Sequence, residues 1–525
     1  MYISFSFKIK HILFLFIILF ITQKNVAQEN TQVEILNANY FRSNKNIANG
    51  ARRLIGNVVF RQDNTIMECD SAYFYSLQNT FDAFGHVHLY KENDNSINVK
   101  SEFLRHNGNT KTAYFRKNVV LRDTQIVLYT DSLDYNIKKD IGYYIYGAKI
   151  VDSATTLTST KGYYYNRINT VYFKNNVIIS HNKGEYQLFT DTLRYNTITD
   201  ITYFFGPTKF YNDTNYMYAE YGWYNTVNNK SLFKRNALYT NPKQSIEADS
   251  ILYDRDNEHG IAYSNIVATD SLQNIIITGN FLEVFKNPDK LIVTDSALIT
   301  TIFEKDSVFL HADSLIVQTD TSGEYREFKA FYHTRIFKSN FQVQTDSLFF
   351  STVDSIIQFH GSPVMWVQGN QITAKYIEAF IINQTLDNFK LYDDGLIISK
   401  EDSNYFNQVK GDKIIGYFKH NNLYKIDIFK KSETIYFPTD EYGVIGINKS
   451  KSKNITILLK HNEIHRIIYR DTYEGGLLPL EELNPKNTKV RNFIWLEDKR
   501  PQNKSDVFLW KDINNEDEKT KSRIK

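Results

Sequence analysis

Asp followed by Ser or Thr returns down most of this chain, at Asp70-Ser71, Asp131-Ser132, Asp191-Thr192, Asp249-Ser250, Asp295-Ser296, Asp313-Ser314 and Asp346-Ser347. Carboxylates and hydroxyls stacked along one edge could bind calcium, but the β-helices that do so use dense Gly-Gly-x-Gly-x-Asp spacing, which is absent here. Asp-Ser at a bend more simply caps local backbone donors. His86 and His88, two apart on one strand face, would supply two metal ligands, and no third is placed by sequence. His461 and His465 are four apart, yet their surroundings alternate like a strand and lack the helical geometry of a zinc-protease motif. Cys69 is the sole cysteine, so no internal disulfide forms, and beside Asp70 it reads as a small buried hydrophobe. No nucleophile elbow, phosphate-binding loop or dinucleotide fingerprint occurs. The expectation is therefore a protein with no catalytic residue, no metal site and no cofactor: not an enzyme.

The elements that carry these residues repeat. The fullest copy is Tyr129-Thr130-Asp131-Ser132-Leu133-Asp134-Tyr135, and weaker copies such as Lys100-Ser101-Glu102, Lys161-Gly162-Tyr163 and Ala219-Glu220-Tyr221 fall between the strong ones. A second phrase lies about halfway between, as in Phe84-Gly85-His86-Val87, Lys117-Asn118-Val119-Val120, Asn175-Asn176-Val177 and His360-Gly361-Ser362-Pro363. Between these points apolar residues occupy every second position, the period of a half-buried strand. Val119 and Leu121, Ile126 and Leu128, and Leu133 and Tyr135 show it, and abundant Tyr, Phe, Ile, Val and Thr agree. Polar clusters such as Arg122-Asp123-Thr124-Gln125 and Lys138-Lys139-Asp140 read as hairpin tips. The predicted fold is all-β: long strands, each bent near its middle, stacked as a repeat into two walls that meet at a crease. At ~4.8 Å per strand such a trough would be on the order of 120 Å long.

The N-terminus carries Lys8, Lys10 and His11, an apolar run from Ile12 to Ile21 and a polar stretch ending in Val26-Ala27. That run is too short to cross a bilayer and matches a signal peptide cut after Ala27, with an uncleaved anchor as the alternative because Asn25 stands where a small residue is usual. A net charge of +3, from 62 basic and 59 acidic side chains, argues against a nucleic-acid partner. The expected organisation is a signal peptide over 1–27, a regular repeat over 28–393 with a looser hairpin near Asp320-Thr321-Ser322-Gly323, and less regular strands over 394–475. A Pro- and charge-rich tail over 476–525 would be extended and partly disordered. Within it Phe493-Ile494-Trp495 and Phe508-Leu509-Trp510 are apolar islands able to dock on the body or on a partner.

The Asp-Ser-Leu-x-Tyr and Gly-x-Val phrases on an aromatic-rich β-repeat resemble the OstA-like (LptA-like) proteins over roughly Leu36 to Leu391. Phe493-Ile494-Trp495 with Arg500-Pro501 is similar to the long Bacteroidetes-type members. The resemblance implies a β-jellyroll or "β-taco" whose apolar groove holds the acyl chains of lipopolysaccharide in the periplasm, and no catalytic residues. Alternation along the strands places Val119, Leu121, Ile126, Leu128, Leu133, Leu193, Leu252, Leu315 and Leu348 as the groove lining. The expected role is a lipid conduit that bridges inner and outer membranes, meeting like-folded transport components through its terminal strand edges, with head-to-tail self-association left open. The alternative is a structural envelope or surface scaffold that carries no lipid.

Overall fold

The structure, a computed structural model, describes residues 32–512 apart from 44–49, 93, 123–126, 137–138, 140, 152–153, 182–183, 197, 213, 226, 305, 320–325, 383–384, 420–421, 461–462 and 480–487. The signal-peptide segment, Ile126, the hairpin tip at 123–125, Lys138, Asp140, the segment 320–323, His461 and the terminal run 514–525 lie outside the described residues. The chain divides into two compact units, Met1–Gly260 and Ile261–Lys525.

In the first unit, strands of about eleven residues follow one another as antiparallel neighbours, among them Arg52–Gln62, Thr65–Tyr75, Thr80–Lys91, Tyr186–Asn196, Ile201–Asn212 and Asn215–Asn225. The long ladders break register near their middle, as between Ile55 and Val58, Arg116 and Val119, and Lys174 and Val177. At these points alternate strands carry a residue pair in the left-handed region, such as Gly85-His86, Lys117-Asn118, Asn175-Asn176 and Arg235-Asn236. A bulge of this kind bends the strand, and because all bends align, the sheet folds lengthwise into two walls. Wall I holds residues such as 58–62, 119–122 and 208–212; wall II holds 71–75, 112–116 and 201–205. Their inward side chains meet across the crease: Phe60 of wall I stacks on Phe81 of wall II at 4.2 Å between centroids, and Phe210 of wall I meets Phe204 and Phe233 of wall II at 5.3 and 5.6 Å. Rings project far enough to do this because facing positions are small. A Cβ on Gly162 would lie 2.4 Å from the Tyr144 ring, and one on Gly222 2.2 Å from Phe204.

The second unit has the same plan. Its corner pairs include Asp295-Ser296, Tyr332-His333, Asp393-Asp394 and Lys430-Lys431, and its ladders shift register at Phe331/Thr334, Tyr392/Gly395 and Phe429/Ser432. Asp295-Ser296, which the sequence presents as another copy of the recurring phrase, is itself a corner, since short polar side chains tolerate the left-handed region. The corner-and-wall pattern continues without change past residue 394, through strands Thr385–Lys400, Phe406–Lys419, Asn422–Tyr436, Gly446–Lys460 and Glu463–Pro479.

Residues 488–512 depart from the expected loose tail. They are extended, with two short 3-10 turns at Glu497–Lys499 and Lys504–Phe508, but they lie along the outer face of wall I of this unit. Val490 joins a buried cluster with Leu396, Ile398, Ile435, Phe437 and Ile447, and Leu496 packs with Val364 and Trp366. Wall I is thus buried on both faces here, so consecutive residues such as Leu396, Ile397 and Ile398 are all inaccessible. The second apolar island is also seated: the rings of Phe508 and Trp510 lie 4.7 and 4.9 Å from those of His311 and His333.

Candidate functional site

The recurring Asp phrase is the strand that lies against a corner. The residue before the acidic one carries a hydroxyl or thiol that donates to the main-chain carbonyl two positions on, as in Cys69 to Ser71, Ser101 to Phe103 and Thr130 to Ser132, and Ser159 and Ser452 do the same to Lys161 and Asn454 in strands where Thr160 and Lys453 replace the acid. Several also reach across the crease, as Thr130 Oγ1 does to Gly147 O at 2.7 Å and Thr345 Oγ1 to His360 O at 2.6 Å. These bonds satisfy carbonyls that the broken ladder leaves unpaired. The acidic side chain points to the corner of the next strand: Asp70 faces His86 Nδ1 at 2.8 Å, Asp313 faces His333 Nδ1 at 2.8 Å, and Glu220 accepts from Asn236 Nδ2 at 3.0 Å. Glycine is required where that approach is closest, since a Cβ on Gly85 or Gly361 would lie 2.3 Å from Asp70 or Asp346 and both glycines have positive φ. The Asp-Ser pairs therefore build the crease, as local hydrogen-bonding groups.

What the crease positions in each unit is an inward apolar face. Val119, Leu121, Leu128, Leu133 and Leu193 in the first unit, and Leu315 and Leu348 in the second, are buried on it. Leu252 is not. Counted from the acidic residue the second position on faces inward, and in this copy that is Ile251; Tyr253 also turns in, and Leu252 sits half-buried on the outer face. Ile126 lies outside the described residues.

The two units differ in how far this face is covered. In the first, Phe60, Phe81, Leu104, Leu128, Ile150 and Leu193 are wholly inaccessible, each wall capping the other. In the second, the ladder Ile277, Ile299, Leu310 of wall I pairs in register, as does Val284, Leu291, Val317 of wall II, and all six remain half-buried. Their neighbours nearer the crease, Leu282, Val293 and Leu315, are fully buried. These strands therefore present aliphatic surface that the opposite wall leaves uncovered. Sequence alternation identifies such residues as inward but carries no sign of whether anything covers them.

The family profile described as OstA-like protein matches residues 30–187 and 178–249. Over these residues the chain resembles the OstA-like family. Among solved structures, the chain is similar to LptH, described as the LptA homologous periplasmic component of the conserved lipopolysaccharide transport device from Pseudomonas aeruginosa. The two are 13% identical, the match covers 19% of this chain and 76% of that one, and the TM-score is 0.17. No curated protein sequence matches the chain.

The matched residues also include His86, His88 and Cys69. His86 is exposed at a corner against Asp70, whereas His88 lies beside Glu68 and Asn98, so each imidazole has partners of its own. Among the described residues no group of three or more His, Cys, Asp and Glu side chains could hold a metal, and no helix is long and apolar enough to cross a membrane. Burial pushes the Cys69 thiol up to about 12, with Asp70 adding to the rise. Because Cys69 fills the slot that Ser101, Thr130 and Ser159 fill in other strands, Cys69→Ser should change stability by less than about 1 kcal/mol, as a urea midpoint will show. Alkylation of the native thiol should require unfolding.

Alkali should weaken both units. Burial, with nearby acidic groups adding to it, pushes Tyr253 in the first unit and Tyr392 in the second up to about 12 and raises Tyr195 and Tyr376 as well, and burial alone raises Tyr144. A phenol or thiol whose folded value is raised contributes stability that is complete below its ordinary value and is lost as pH rises through the folded one. The urea midpoint should accordingly fall between about pH 9 and 12, and a midpoint constant over that interval would contradict the placement of these groups.

Proposed function

We propose that this chain is a non-enzymatic periplasmic lipid carrier of the lipopolysaccharide-transport type, which takes acyl chains against its inward face and spans the route between inner and outer membranes. The OstA-like match supports the class. The observation that carries the lipid reading is the half-covered aliphatic ladder of Ile277, Ile299, Leu310, Val284, Leu291 and Val317. Moving an acyl chain of about 12 to 14 carbons out of water is worth roughly 0.8 kcal/mol per methylene, or about 10 kcal/mol in all. Aliphatic surface along successive strands would remove most of that penalty without any active site. Like-folded transport components would join at the terminal strands by β-augmentation, which is also the route open to head-to-tail self-association. The ring contacts that fill the crease of the first unit favour the alternative, a structural scaffold, for that half.

A photo-crosslinking residue at Ile299, inward, and at Thr300, outward, tests the proposal in cells that make lipopolysaccharide. Lipid labelling at Ile299 and not at Thr300 is the expected result, with weaker labelling at Leu128 because its neighbours already cover it. Equal labelling at Ile299 and Thr300, or none at either, would overturn the carrier reading.

A further inference from the structure

The segment 488–512, the strap, is read by its seat mainly through its main chain. Gln408 donates from Nε2 to Thr488 O at 2.8 Å and accepts from Val490 N at 2.8 Å. Gln371 repeats this with Ile494 O and Leu496 N at 2.7 and 2.6 Å. Each glutamine thereby imitates one rung of a β-ladder. Farther along, Arg335 donates to Lys499 O and Asp506 O, both at 2.8 Å, and Gln344 donates to Lys511 O at 2.7 Å. All four readers are buried. Away from its anchors Val490, Leu496 and Val507 the strap is exposed at Ile494 and Leu509, and its described residues form no strand of the sheet. It can lift away without breaking a ladder. The seat it would leave holds Leu396, Ile398, Val364 and Trp366 together with four buried polar side chains that lose their bonds to the strap, a surface costly to expose.

We propose that the outer face of wall I in the second unit is an extended-peptide track, and that two copies of this chain exchange their C-terminal straps across it. The track holds the strap through backbone groups and three aliphatic anchors, so a strap from another copy offers it the same contacts. Exchange of an identical element between copies is a low-cost route to dimers, and covalent attachment to the same chain would give the cis strap an effective concentration on the order of mM. At ~100 µM protein, trans seating should then amount to about a tenth of cis seating. This surface is separate from the strand edges invoked above, and it does not depend on the lipid reading.

The test uses the full-length chain. Lys410 Nζ lies 2.6 Å from Arg491 O, so Lys410→Cys and Arg491→Cys place one thiol on the track and one on the strap; native Cys69 is buried and silent. In the double variant a bismaleimide should link the two thiols within one chain, leaving a monomer on a denaturing gel. A mixture of the two single variants should yield a crosslinked heterodimer whose amount rises with total protein, and Gln371→Ala with Gln408→Ala in the Lys410→Cys copy should cut it at least tenfold. Efficient internal linkage with no heterodimer at any concentration would overturn exchange. Failure of the internal link would overturn the seating itself.

Discussion

Arg335→Ala should release the distal half of the strap, residues 499–511, and lower the stability of the second unit by about 3–5 kcal/mol. Arg335 stands on the outer face of wall I and has no exposed surface. Its guanidinium, which burial pulls down to about 10, stays charged at neutral pH and serves the carbonyls of Lys499 and Asp506. Hydrogen bonds from a charged donor contribute roughly 1.5–3 kcal/mol each, and removing the donor leaves two buried carbonyls unpaired. The capping box between Asn503 and Asp506 holds the 3-10 turn that presents one of them, so the turn should survive locally while losing its seat. Amide hydrogen exchange is the direct readout: residues 499–511 should lose protection, whereas Val490 and Leu496, held by Gln408 and Gln371, keep theirs. Arg335→Lys should recover part of the loss, because one ammonium cannot serve both carbonyls in the guanidinium's geometry. Unchanged exchange in Arg335→Ala would mean that the strap is held without it.

The second large effect concerns the crease of the first unit. Tyr144→Ala should cost about 3–5 kcal/mol, the usual range for removing a fully buried aromatic ring, together with the 2.7 Å hydrogen bond between its hydroxyl and Ser159. Gly162, its direct partner in the neighbouring strand, should be equally intolerant. A Cβ there would lie 2.4–2.7 Å from the Tyr144 ring and hydroxyl, so Gly162→Val displaces the ring and should cost about 3 kcal/mol. The two changes should not add. With Tyr144→Ala in place the valine occupies vacated volume, and the double variant should be about 2–3 kcal/mol more stable than the sum of the singles predicts. Additive losses would show that ring and glycine do not share one space.

Much of this architecture is legible in the sequence because backbone geometry writes it there. Side chains on a strand alternate between faces, so inward residues such as Leu128 and Leu193 can be named from the pattern alone. Gly85, Gly361 and Asn175-Asn176 mark corners because few other residues take the left-handed region cheaply. Leu252 shows how a pattern can mislead: a leucine invites selection, but the count from the acidic residue puts Ile251 inward. Corners built from Tyr332-His333 and Lys430-Lys431 carry no compositional mark, and for that reason the strands after residue 394 look irregular in the sequence.

The seat of the strap left a trace that alternation does not explain. Val364-Met365-Trp366 and Leu396-Ile397-Ile398 are unbroken apolar runs where a one-sided wall needs only every second residue, and Gln342, Gln344, Gln371 and Gln408 stand on the same outer face. Such runs announce that something covers both sides, but they do not name the cover.

The amino-acid order by itself determined the strand period, most of the bends and the face each side chain takes, since these follow from local backbone geometry and nearest-neighbour pairing. Tertiary structure alone decided that Ile299 and Leu310 stay half-covered while Leu128 does not, and that Val490 and Leu496 lie on wall I. Those outcomes depend on how closely opposite walls approach and on contacts between residues about 80 to 170 positions apart, distances across which no periodicity carries information.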